Sequence, residues 1–137
     1  LAEKTADPER IPLLPLVNAG QVFRADVQYL DFENGSGVRW LTLLAQYPAP
    51  INNHELFYTF QGLTADGQHL VSVVMPVNHP SLPASADELS QSEMEAVWEN
   101  ANYYAEMAAT LSAAANDSFT PDLSALDSLV ESIRINR

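Results

Sequence analysis

The chain contains no cysteine. That excludes disulfides, thiolate nucleophiles and Cys-ligated zinc or iron–sulfur centres. Basic residues are scarce too: six Lys and Arg stand against eighteen Asp and Glu, a formal net charge of −12 at pH 7. Nucleic-acid surfaces neutralise phosphates with Lys and Arg. So few of them, scattered along the chain, exclude such a partner. The same charge opposes adsorption to anionic lipid and favours a basic partner or cations. Most of the carboxylates are expected on a solvated face. No apolar run approaches the roughly 20 residues that a membrane-spanning helix needs, so no transmembrane segment is expected.

What is present is a globular composition. Over 137 residues, 47% hydrophobic content suffices for one core without staples. The first residue is Leu1, and no basic segment followed by an apolar one stands at the front. A signal peptide or lipid anchor lost upstream of Leu1 is therefore expected, as a tether for an extracytoplasmic protein.

Residues 1–18 hold Pro8, Pro12 and Pro15 without sustained period and read as an extended lead-in laid on the domain. Residues 19–137 read as a single domain. From Gln21 the period is two, with Phe23, Ala25, Val27 and Tyr29 on one face. Leu30 and Phe32 take the opposite parity, which predicts a bulge or strand end near Tyr29. Glu33–Gly37, "ENGSG", reads as a hairpin loop. "VRWLTLLAQY" is apolar on both parities, as in a central strand covered on both faces.

Pro48 and Pro50 interrupt the sheet. Leu56, Tyr58 and Phe60 then alternate with Phe57, Thr59 and Gln61, and after a turn at Thr64–Gly67 a fourth strand carries Val71, Val73, Met75 and Val77. With Ala65 and Asp66 at the tip, His69 falls opposite Gly62 and His54 opposite Val77. Gly67 is expected at positive φ.

After Pro76, Pro80 and Pro83 the spacing becomes helical. Ser90 and Glu93 form a capping box, and an extra turn is expected over Ser85–Glu88. Met94, Val97, Trp98, Ala101, Tyr104, Ala105, Ala108 and Leu111 fall on one helical stripe. Thr120-Pro121-Asp122 supplies an N-cap, a first-turn Pro and an early acid for a last helix, with Leu123, Leu126, Leu129, Val130 and Ile133 as its core stripe. Strands followed by helices predict an α+β domain: an antiparallel meander of four or more strands, packed by C-terminal helices.

The ending "LDSLVESIRI", Leu126–Ile135, resembles the tail of PsbP-like domains, where an amphipathic helix runs into a serine-hydrophobic-basic-hydrophobic segment. "FYTFQGLTADGQHLVSVVMPV", Phe57–Val77, also resembles the sheet of that family. The resemblance covers about the last two thirds of the chain. The NHPSLP segment and the Pro-rich entry depart from the pattern. It implies an antiparallel sheet between helices, and a non-enzymatic accessory or binding domain outside the cytoplasm, tethered to a membrane or a larger complex. It carries over no catalytic residue.

Three chemistries compete for the remaining polar residues. His54, Glu55, His69 and His79 are the one grouping worth a metal hypothesis, but the expected register separates His69 from His54 and leaves His79 as the better neighbour. Strand-end histidines more often cap, so no metal or cofactor is expected. Ser36 lies between glycines without a G-x-S-x-G elbow, and "DFENG" lacks the glycine and glutamate positions of a calcium loop. No catalytic residue is assigned. Adjacent aromatics carry the remaining signal: Phe57 and Tyr58 in a strand, Tyr103 and Tyr104 in a helix, one of each pair expected exposed or at a groove. Tyr58, Phe57, Tyr103, His54 and His79 are the candidate ligand contacts. The reading is a non-catalytic binding module for a protein or small-molecule partner. The alternatives are a hydrolase with an acidic cleft, or an oligomerisation module using the exposed apolar parity of the outer strand.

Overall fold

The computed structural model describes Pro12 and residues 20–135. Strands β1 (Gly20–Phe32), β2 (Gly35–Ala45), β3 (Phe57–Thr64) and β4 (Leu70–Pro76) form one antiparallel meander in the order β1-β2-β3-β4. Helices α1 (Gln91–Glu99), α2 (Tyr103–Ala113) and α3 (Leu123–Glu131) follow. The α+β class and the strand order are as the sequence predicts. Of the lead-in, only Pro12 falls within the described residues, where its carbonyl accepts from Gln61 Nε2 at 2.8 Å.

The change of parity in β1 has a different cause from the one expected. Ala25 pairs with Leu41 but Gln28 pairs with Arg39, so one extra residue enters between them. Asp26 sits there at φ 53°, a left-handed conformation that Asp tolerates better than most residues. One bulge thus lies at Asp26, not near Tyr29, a second extra residue enters between Gln21 and Arg24, and the strand continues to Phe32. It moves Val27 and Tyr29 to the opposite face, against Val38 and Trp40.

The first hairpin is tighter than the expected loop. Only Glu33 and Asn34 connect the strands, and Gly35, Ser36 and Gly37 belong to β2. Gly37 is required by close approach: a Cβ there would collide with the backbone of Gln61 and Gly62 on β3.

The second hairpin is longer than expected. Thr64 N–H donates to the His69 carbonyl at 3.0 Å, and Asp66 Oδ1 accepts from both Thr64 Oγ1 and Gln68 N–H. Gly67 has the expected positive φ, 72°. Gly62 consequently faces Val71 rather than His69. A slip of two residues preserves every face.

The β2 stretch Val38–Leu43 is buried on both sides. On one face Leu41, Leu43, Leu56, Tyr58 and Phe60 meet Leu111, Leu123, Leu126 and Val130 of the helices. At roughly 1.5–3 kcal/mol for each large apolar side chain fully buried, this face dominates the stability.

The long helical stripe is in fact broken. The Ser90–Glu93 capping box forms as expected, and Ala86–Glu88 makes the extra turn as a short 3-10 helix. But Asn100 Oδ1 accepts from Asn102 N–H at 3.0 Å. This local turn competes with the helical ladder and separates α1 from α2. Of the stripe only Leu111 is buried, and α1 has no buried residue.

Two further expectations fail in α3. Thr120 is bridged to Asn78 by a pair of 2.9 Å backbone hydrogen bonds, which holds it extended. Asp122 is the N-cap instead, accepting from Ser124 N–H at 2.8 Å. Leu129 is 52% exposed, not core. At 100° per residue it lies about 120° from Leu123, away from the sheet.

Candidate functional site

One proline and three aromatics line an apolar concavity at the junction of the β2–β3 loop with the first two helices. Past the end of β2, Tyr47 and Pro48 stay exposed, while Ala49, Pro50 and Ile51 turn inward. The opening of α2 clamps that loop. Tyr104 Oη donates to the Ala49 carbonyl at 2.6 Å, and Tyr103 Oη accepts from Ile51 N–H at 2.9 Å. The two rings meet edge to face at 5.1 Å. Trp98, at the end of α1, donates from Nε1 to the Pro48 carbonyl at 3.0 Å, yet remains 55% exposed. Between them is an open cavity of about 230 Å³, lined by Pro48, Val97, Trp98, Asn100, Tyr103 and Tyr104 among others.

Burial raises the Tyr103 hydroxyl, partly offset by the Ile51 amide. Tyr104 is pushed up to about 12, by burial first and then by its neighbours Tyr103 and Tyr47. Both phenols are neutral at physiological pH. With the Tyr104 hydroxyl and the Trp98 N–H donated to the loop, and the Tyr103 oxygen accepting from it, the cavity presents mainly ring faces.

The five sequence candidates do not converge. Tyr103 lines the cavity. Tyr58 is 0% exposed and reaches no surface, which removes it as a ligand contact. Phe57, half-buried, faces the opposite side of the sheet, paired with Thr42 and Pro76. His54 is exposed in a turn. Its expected neighbour His79 is instead held by Asn53: His79 N–H donates to Asn53 Oδ1 at 2.8 Å and the Asn53 amide returns to the His79 carbonyl. The His79 ring packs at a tilt against Phe119, and its nitrogens lie 2.7 Å from Ser81 Oγ and 3.1 Å from Ser118 Oγ. His69 is exposed at the far hairpin. Among the described residues, no three His, Asp or Glu side chains gather as a metal site would need.

The sequence reading missed a buried charge cluster. Arg39, 2% exposed, projects from β2 toward α3 and forks onto Asp127, with Nε to Oδ1 at 3.0 Å and Nη2 to Oδ2 at 3.2 Å. Its Nη1 donates to the Asp26 carbonyl at 2.5 Å and lies 3.0 Å from Asp26 Oδ2, an ion pair poorly aligned for a hydrogen bond. Tyr58 Oη donates to Asp127 Oδ1 at 2.8 Å, with the guanidinium 5.8 Å from its ring centre. Burial first, then the hydrogen bond to Asp127, push the Tyr58 phenol far above its ordinary value. Asp26 N–H is satisfied by Ser112 Oγ at 2.8 Å, tying in α2. Each strong donor here has an acceptor within the fold, so the cluster fixes the helices against the bulged strand.

A smaller cavity of about 190 Å³ lies where the tail meets the first hairpin, lined by Glu33, Asn34, Arg134 and Ile135. The Asn34 side chain donates to the Ile135 carbonyl at 2.9 Å and accepts from Ile135 N–H at 3.4 Å, as a strand neighbour would. Glu33 and Arg134 form an exposed ion pair.

No protein-family model, curated protein or solved structure matches this chain.

Proposed function

We propose that this chain is a non-catalytic binding domain whose ligand seat is the Trp98–Tyr103–Tyr104–Pro48 cavity, and that its ligand is a neutral or basic peptide segment presenting proline or another apolar side chain. The single observation that carries this reading is the exposed Trp98 ring beside an aromatic-lined, mainly apolar cavity. Aromatic-lined grooves hold extended proline-containing segments through ring faces, at little conformational cost to the ligand. The lining is mainly ring and aliphatic surface, which favours an apolar side chain over a sugar. At about 230 Å³ the cavity suits one or two side chains of a longer ligand. The surplus of eighteen acids over six bases disfavours an acidic peptide. Among the described residues, neither cavity brings two carboxylates together, so neither favours the hydrolase alternative. The PsbP-like resemblance and residence outside the cytoplasm belong to the same proposal and rest on the sequence motifs alone.

Trp40 is buried, so a binding-induced change in tryptophan emission reports Trp98. Titration with a proline-rich peptide flanked by lysines should shift the emission saturably, and Trp98→Ala should abolish that response with melting unchanged. A neutral oligosaccharide should leave the emission as it was. A response to the sugar and none to the peptide would overturn the reading.

A further inference from the structure

We propose that the outer edge of β4 is a self-association surface, on which a second copy of this chain adds its own β4 to give one continuous sheet. β4 is a terminal strand of the meander, while α2 and α3 pack on β1 at the opposite side. Thr64 N–H donates to His69 C=O and Val77 N–H to Leu56 C=O, so odd-numbered residues of β4 direct their backbone groups at β3. The amides and carbonyls of Leu70, Ser72 and Val74 therefore point outward. Among the described residues, no strand pairs with them.

Native edges are ordinarily blunted by charges, bulges or covering elements. Among the described residues β4 has none of these: its register with β3 runs unbroken, and residues 67–86 contain no Asp, Glu, Lys or Arg. In a chain of net charge −12 this is the stretch where an identical copy approaches with least repulsion. Pro76, which lacks an N–H, limits the edge at one end.

The sequence of the edge is complementary to itself. A two-fold axis at Ser72 sets Ser72 against its own counterpart and Leu70 against the second copy's Val74, each facing pair exchanging both its hydrogen bonds. Leu70 and Val74 are 49% and 55% exposed and lie on the same face of the sheet. The same axis sets Val71 against the second copy's Val73 on the other face. Leu63 of β3, cross-strand from Leu70 and itself exposed, extends the apolar surface behind this seam.

The proposal stands apart from the aromatic cavity, and its test separates the two. Sedimentation of the full chain between roughly 10 µM and 1 mM should show the mass rising from 15.0 kDa toward about 30 kDa. Ser72→Lys and Ser72→Glu, each placing like charges opposite one another, should remain monomeric. An equimolar mixture of the two should recover the dimer. Trp98→Ala should dimerise as the parent does. In the unmodified chain, amide exchange at Leu70, Ser72 and Val74 should slow about tenfold or more as concentration rises. A monomer throughout the range, a dimer indifferent to both Ser72 variants, or a mixture that stays monomeric would overturn the proposal. So would a monomer whose β4 amides are protected only by an added foreign peptide, which would assign the edge to another chain.

Discussion

Arg39 shows how one residue can bind three elements. One of only six basic residues stands within a strand apolar on both parities, and a buried guanidinium must be paired there. That is the legible signal, although period alone cannot tell a buried charge from a solvated one. Its partner was harder to see, since Asp127 interrupts an apolar helix stripe and the pairing spans 88 residues. Asp127→Ala should cost about 3–5 kcal/mol in chemical denaturation, because it leaves a buried cation with Asp26 alone. Tyr58 supplies a second expectation. Its folded phenol is raised above its unfolded value near 10, so its contribution is complete below about pH 10. Above that pH the unfolded phenol releases its proton while the folded one holds it, and stability falls by up to about 1.4 kcal/mol per pH unit. Tyr58→Phe should therefore lose less stability than the parent between pH 10 and 12, measured by denaturant midpoints. Gly67, whose added Cβ would meet nothing within 4 Å, tests backbone conformation alone. Gly67→Val should cost about 1–3 kcal/mol, read in the same way.

At the scale of elements, most strands and helices were legible because their apolar periods are long and their caps standard. The errors gathered where side-chain hydrogen bonds replace backbone ones: Asp26 at the bulge, Asp66 in the second hairpin, Asn100 between the helices. Short polar side chains make such turns, and an apolar period does not register them. The aromatic cavity was half legible. Tyr103 was identified by adjacency to Tyr104, whereas Trp98 was assigned to a helix interior that the Asn100 turn removes. Helix α3 permits a sharp contrast. Leu123→Ala should cost about 2–5 kcal/mol and Leu129→Ala no more than about 0.5, both from denaturant midpoints. Equal losses would mean that α3 sits on the sheet by a different face. Removing residues 119–137 uncovers Tyr58, Phe60 and Leu41 together, and light scattering should then show aggregation.

Over the whole molecule, charge and topology act together. Copies carrying −12 repel one another through dilute buffer, and at 0.1 M salt the screening length is only about 10 Å. Salt should thus favour the β4-edge dimer: sedimentation should show tighter association at about 0.3 M than at about 0.02 M, and a reversed trend would point to an interface held by ion pairs. The net charge was plain in the sequence. That it spares the edge strand became visible only once strand order was known, because edges are a property of topology. The same wide spacing of partners governs how the chain comes into being. Asp127 lies 88 residues downstream of Arg39, and Ile135 lies 101 residues from the Asn34 amide that fastens it. At about 5–20 residues per second, a ribosome that has delivered Arg39 works on the order of ten seconds longer before it makes Asp127. During that interval the nascent meander holds a cation on the face that α3 is to cover, hydrated and opposed by Asp26 alone. Sealing that face waits on α3, so until then its apolar side chains stay open to neighbouring chains.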